Sequence, residues 1–300
     1  MSRIQEILKK AERDGGVHRT RAIVPDRATS SVAQALVEPP PASRVDPGIG
    51  RAEPAGVPVE TAPIGFVHGA PRQASGHIDS HLVAAGAPQS IAAEQYRLLR
   101  TRVTRAENGR SYRAIIITSP NTGDGKSLTA ANLALTMAQD PQQRVLLLDA
   151  DLRRPSIHRL FGIDETPGLT DVLMGGASLE EALVTMPDYR LTVLPSGLIP
   201  TQPAELLGSP GMRRVLDTLR SRFDRILIDM PPVAPLADVA IASTIADGVL
   251  MIVRAGVTPK PAIERGLASI DSAKVLGLVL NDAGASATTY PYAGYRYAAG

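Results

Sequence analysis

Between Arg113 and Asn281 the chain alternates short apolar runs with longer stretches in which apolar residues recur every three or four positions. The runs read I-I-I-T, V-L-L-L, I-L-I, V-L-M-I-V and V-L-G-L-V-L. A strand with one wet face alternates apolar and polar residues; a strand buried on both faces does not. The runs therefore predict a mostly parallel sheet with helices on both faces, an α/β fold. Strands are expected over 113–119, 144–149, 191–194, 225–229, 248–253 and 275–281. Helices are expected over 125–139, 155–161, 169–174, 179–184, 212–222, 238–245 and 262–272. One more helix precedes the first strand, over 90–105. Ser90 can cap it, and Ile91, Tyr96, Leu99 and Val103 recur at helical spacing.

Upstream, periodicity fails from Val17 to Gln89. Ten of the 25 prolines fall there, among many Ala, Gly and Ser. Such a segment buries too little apolar surface to offset chain entropy, so residues 16–89 are expected to be a disordered linker. Before it, Ser2 and Gln5 read as a capping box, and Ile4, Ile7, Leu8 and Ala11 share one helical face until Gly15–Gly16. This amphipathic helix over 1–15 is marginal alone. It is either a docking element or a frayed tail helix. The domain proper is expected over 90–284, with a flexible Tyr-rich tail over 285–300.

Aromatic residues make up only 3% of the 300, so the core must be aliphatic. The net charge is +2 with both signs interspersed, and nothing marks a nucleic-acid binder. There is no cysteine, which excludes disulfides, thiolate metal sites and cysteine nucleophiles. His18, His68, His77 and His81 lie in the linker and only His158 in the domain, which argues against a metal hydrolase. Met1 to Asp14 do not form a signal peptide, and no apolar run approaches the ~20 residues of a membrane span. A cytoplasmic chain is expected, drawn to the membrane's inner face by a partner.

The first strand runs into S-P-N-T-G-D-G-K-S-L-T. Gly123 and Gly125 allow a tight turn with N–H groups pointing inward. With the helix N-terminus they form an anion cradle, so the fold class narrows to a P-loop NTPase. Thr122, Gly123, Asp124, Gly125, Lys126, Ser127 and Leu128 are the expected ATP contacts. Lys126 can reach the β and γ oxygens, and the Ser127 hydroxyl can ligate Mg²⁺. Pro120 stands where the motif has its first glycine, and Leu128 where a second hydroxyl is common. Two further strands end in acids. Asp149 and Asp151 follow V-L-L-L, and Asp229 follows I-L-I. Ligands in such sheets bind beyond the carboxyl ends of strands, and acids there hold Mg²⁺ and its waters. The alternative is helix capping, common for Asp after a strand.

These pieces together resemble the bacterial tyrosine kinase family that controls capsule and exopolysaccharide synthesis, part of the deviant-Walker P-loop ATPases. The resemblance rests on I-I-I-T-S-P-N-T-G-D-G-K-S-L-T-A-A-N-L-A, L-L-L-D-A-D-L-R-R-P, I-L-I-D-M-P-P and P-S-G-L-I-P-T-Q-P-A-E-L-L, and covers about Ser90 to Gly300. The partitioning-ATPase cousins carry a signature lysine where this chain has Asn121, and Met230 stands where the kinases often have Thr.

The resemblance implies ATP and Mg²⁺ as cofactors. Lys126 and the loop would bind phosphate, Ser127 would hold Mg²⁺ directly, and Asp151 and Asp229 through water. Asp149 would accept or orient the tyrosyl proton, and Arg153 would stabilise phosphate charge or fix the carboxylates. Apart from the resemblance, Asn281 is the expected adenine contact because it ends the last strand. Glu94, Arg97 and Arg100 match E-x-x-R-x-x-R, which in the family supports a ring-shaped homo-oligomer; ordinary intrahelical pairing is the alternative. Tyr290, Tyr292, Tyr295 and Tyr297, four of the seven tyrosines, match the family's phosphoacceptor tail, unless they serve as an interface. A separate membrane-bound activator and a tyrosine phosphatase are the implied partners. The rival readings are a MinD- or ParA-like ATPase switch and an ATP-bound scaffold.

Overall fold

A computed structural model of the chain describes residues 72–74, 78–106, 112–233 and 236–283. The helix expected over 1–15, the linker as far as 71, and the tail with its four tyrosines lie outside the described residues.

The apolar runs form strands β2 (Ala114–Thr118), β3 (Val145–Asp149), β5 (Leu191–Leu194), β6 (Arg225–Asp229), β7 (Gly248–Arg254) and β8 (Val275–Asn281). Two shorter strands join them, β1 (Arg72–Gln73) and β4 (Val184–Met186). The eight make one sheet in the order β1-β4-β5-β3-β6-β2-β7-β8. Every neighbouring pair is parallel except β4 with β5. The helices are α1 (Val83–Gly86), α2 (Ile91–Arg105), α3 (Lys126–Ala138), α4 (Ile157–Phe161), α5 (Leu169–Leu173), α6 (Leu179–Ala182), α7 (Pro203–Leu207), α8 (Pro210–Arg222), α9 (Asp238–Ser243) and α10 (Lys260–Ala268).

Successive strand residues point to opposite faces, so each central strand feeds two cores. Ile116 and Leu148 join the core under α5 to α10, while Ile117 and Leu147 join the one under α1 to α4. In α3 every residue from Thr129 to Ala138 is buried. Ala130, Ala131, Ala134 and Ala138 add little bulk on that helix, which suits close packing on the sheet. The cores are aliphatic as expected; Tyr112, Phe161 and Phe223 are the buried aromatics among the described residues.

Three expectations need correction. Residues 72–74 and 78–89, read as linker, belong to the domain. Backbone N–H groups of Arg72 and Ala74 donate to Leu183 and Thr185, extending the sheet past β4. The Arg72 guanidinium donates to the carbonyls of Thr166 and Pro167 at 3.0 and 2.9 Å. Leu82 is fully buried, and Asn132 of α3 clamps the same turn, accepting from Ala84 N and donating to His81 O. Tertiary packing holds a segment whose composition alone promised none. Second, the helix expected over 179–184 stops at Ala182. Leu183 turns extended, and Val184–Met186 pair with β5 instead. Third, α7 within P-A-E-L-L was not expected as an element. Ser90 caps α2 as expected, accepting from Ala93 N at 3.1 Å.

Leu82→Ala should destabilise the protein by about 2–5 kcal/mol, the cost of truncating a fully buried leucine. Thermal melting checks this. An unchanged midpoint would mean the 78–89 segment is not integral to the fold.

Candidate active site

β2 delivers the chain into the loop from Ser119 to Gly125. Gly123 and Gly125 both adopt left-handed backbone, φ 87° and 90°, which only glycine takes at little cost. A Cβ at Gly125 would also collide with the Asn281 side-chain amide. The loop is braced from inside. The Asp124 carboxylate accepts from Asn121 N at 2.9 Å and from the Thr258 hydroxyl at 2.7 Å. Asn281, at the end of β8, donates its amide to Asp124 O at 3.0 Å. No side chain caps the start of α3, and its first turn carries no acid. Its free N–H groups and positive dipole end are thus available to an anion.

The acids converge beside it. β3 and β6 pair with Asp149 opposite Asp229. Lys126 Nζ lies 2.7 Å from Asp151 and 3.6 Å from Asp229, and donates to the Ser127 hydroxyl at 3.0 Å. Asp149 accepts from Asp151 N at 3.2 Å and from Ser156 N and Ile157 N, both at 3.0 Å. It therefore caps the start of α4, the alternative role expected of an Asp after a strand. Asp229 is fully buried; Lys126 stands 3.6 Å away, and neither oxygen has a donor within hydrogen-bond distance.

Burial raises the pKa of Asp149, and Asp229 adds to the rise against the two backbone donors and Lys126. Burial also raises Asp229, with Lys126 opposing. For Lys126 burial works downward, but Asp229 and Asp151 outweigh it and hold the ammonium charged. Three buried carboxylates thus face one ammonium. That imbalance, with the orphaned Asp229 oxygens, fits a divalent cation. Among the described residues no three acidic or His side chains converge as direct ligands. Mg²⁺, which keeps several waters, would take one direct bond from Ser127 here.

Arg153 is placed elsewhere. Its guanidinium forms a two-pronged pair with Asp238, the first residue of α9, at 2.8 and 3.0 Å. Asp238 is fully buried. Moving Arg153 to a phosphate would strand that carboxylate, costing about 3–5 kcal/mol. A charged hydrogen bond to phosphate returns only ~1.5–3 kcal/mol. Asp238 was read only as a helix start; its partner lies 85 residues away, beyond any local pattern. Thr258, which braces the loop, was also missed. Of the E-x-x-R-x-x-R residues, Arg97 pairs with Glu94 at 2.8 Å, and Arg100 donates to Thr136 O at the end of α3.

Comparison with known proteins gives this geometry a family. The ParA family model, described as NUBPL iron-transfer P-loop NTPase, matches residues 111–289. Tyrosine-protein kinase YwqD of Bacillus subtilis is 38% identical over 203 residues, 67% of this chain and 85% of that protein. The chain belongs to the bacterial tyrosine-protein kinases. The putative tyrosine-protein kinase EpsB of Ralstonia solanacearum is 36% identical over 72% of the chain, but the kinase spans only 29% of that longer protein. The kinase domain of Escherichia coli ETK superposes with a TM-score of 0.64 at 28% identity, covering 67% of this chain and 79% of that one. The kinase thus has the P-loop NTPase fold. No helix among the described residues is long and apolar enough to cross a membrane.

Proposed function

We propose that this kinase transfers the γ-phosphoryl group of ATP to Tyr290, Tyr292, Tyr295 and Tyr297 of neighbouring copies, and that it serves exopolysaccharide or capsule synthesis. The supporting observation is the convergence of Lys126 and three buried acids on one glycine loop. Bound Mg²⁺ would neutralise charge on the β- and γ-phosphates. The loop amides and Lys126 would hold the phosphates, Ser127 would bond the metal directly, and Asp151 and Asp229 would hold its waters. In the transfer, a bond forms from the tyrosyl oxygen to phosphorus and the bond to the β-phosphate oxygen breaks. The tyrosyl proton passes to Asp149. A free tyrosine, pKa about 10, needs such help at neutral pH, and the upward push on Asp149 suits a proton acceptor.

In this reading Asn281 lies near the adenine, and Glu94, Arg97 and Arg100 exchange their internal contacts for those of a ring-like homo-oligomer. A separate membrane-bound activator recruits the kinase to the membrane's inner face through the segment before residue 16, and a tyrosine phosphatase resets the tail. Each phosphate adds roughly −1.5 to −2 charges, so a fully modified tail repels its neighbours. The test is incubation with ATP–Mg²⁺ and mass mapping of residues 284–300. Phosphate on the tail tyrosines is expected, and none after all four become Phe. ATP hydrolysis without phosphotyrosine would instead identify an ATPase switch.

A further inference from the structure

The fork between Arg153 and Asp238 joins two segments that each carry metal-site acids. Arg153 lies two residues beyond Asp151, in a turn closed by Arg154 N on the Asp151 carboxylate at 3.0 Å. Asp238 opens α9 nine residues after Asp229, with residues 234–235 between them outside the described residues. At their near ends the same two segments are already joined, since Ala150 N donates to Asp229 O at 2.9 Å. The ion pair closes the far end. Asp238 is fully enclosed and each of its oxygens takes one N–H from Arg153, while the Arg153 side chain keeps 38% of its surface exposed. An enclosed carboxylate needs its cation continuously, so the arginine is committed to it.

We propose that Arg153 is a positioning residue acting through Asp238: their fork fixes the spacing between the loop bearing Asp149 and Asp151 and the segment behind Asp229. Arg153 does not bind phosphate. Asp238, with no part in nucleotide contact, is as necessary as Arg153 for the rate. The inference rests on the proposed kinase function only for the reaction followed, not for the geometry.

A double-mutant cycle on the full chain tests it, using Arg153→Gln, Asp238→Asn and the two combined. Misplacing reacting groups by about 1 Å costs roughly 10²-fold. Each single change should lower kcat for tail phosphorylation by roughly 10–100-fold on that basis. The combined variant should be no slower than either single one. KM for ATP should move less than about threefold, while the Mg²⁺ concentration for half-maximal rate rises equally in both single variants. Arg153→Lys keeps the charge without the fork; it should stay folded, with a loss of rate between those of wild type and Arg153→Gln. The proposal is overturned if Arg153→Gln weakens ATP binding tenfold or more while Asp238→Asn leaves kcat unchanged. It is overturned equally if the two losses multiply in the combined variant. Should the unmodified chain form no phosphotyrosine, the kinase reading falls, and the same cycle is scored on ATP hydrolysis.

Discussion

Replacing Lys126 with alanine is expected to slow tail phosphorylation by roughly 10²–10³-fold, the usual loss when one preorganised charge donor leaves a transferring group. Lys126 is the only cation among the described residues paired with Asp151 or Asp229, and it stands at the mouth of the glycine loop. The change has a second consequence in the metal-free protein. Asp151 is 3% exposed and sits 2.7 Å from the ammonium. Removing one partner of such a pair costs about 3–5 kcal/mol. The variant should therefore melt lower without Mg²⁺ and regain part of the difference when Mg²⁺ is added. Rate assays and melts with and without the metal separate the two effects. Phosphorylation within threefold of wild type would remove Lys126 from the reaction.

Asp229→Asn should stabilise the metal-free protein and inactivate it. Neither Asp229 oxygen finds a donor, and burial disfavours its charge. Relieving an orphaned buried carboxylate is worth about 1–3 kcal/mol. Lys126 keeps Asp151 as its closer partner, and Asp149 loses the neighbour that helps push its own pKa up. The sign with pH follows from the raised folded-state pKa. The folded protein holds this proton to higher pH than the unfolded chain does. Stability from the group is therefore complete below the ordinary carboxylate value of 3.8 and is lost as pH rises through the raised value. The gain from Asn should be full near pH 8 and shrink toward pH 4. Mg²⁺-dependent phosphorylation should fall at least ~100-fold, on the scale of a lost electrostatic contact to the transferring group. An equal melting gain at both pH values would contradict the charge argument; retained activity would contradict the metal-site assignment.

The sheet was legible because five of the eight strands carry uninterrupted apolar runs. β1 has only Arg72 and Gln73, and no pattern marks two residues that pair through backbone alone. β4 was absorbed into the preceding helix because Val184 continues its apolar spacing; only the partner strand β5 reveals it. Around the nucleotide loop, the glycines, Lys126 and the three acids were readable from local motifs. The fork of Arg153 with Asp238 and the brace of Thr258 on Asp124 were not. Each joins residues far apart in the chain, and each depends on which strands lie side by side. Arg100 illustrates the same limit: its hydrogen bond to Thr136 O joins residues 36 positions apart, and no local pattern predicts it.

β1 and β8 are the two outermost strands of the sheet. Seven interstrand steps of ~4.8 Å separate them, about 34 Å across the sheet. Within the described residues, the first strand lies at one rim of the sheet and the last at the opposite rim. A molecule bound at Arg72–Gln73 and another bound at Asn281 could thus sit on the kinase together without competing for the same side of the sheet.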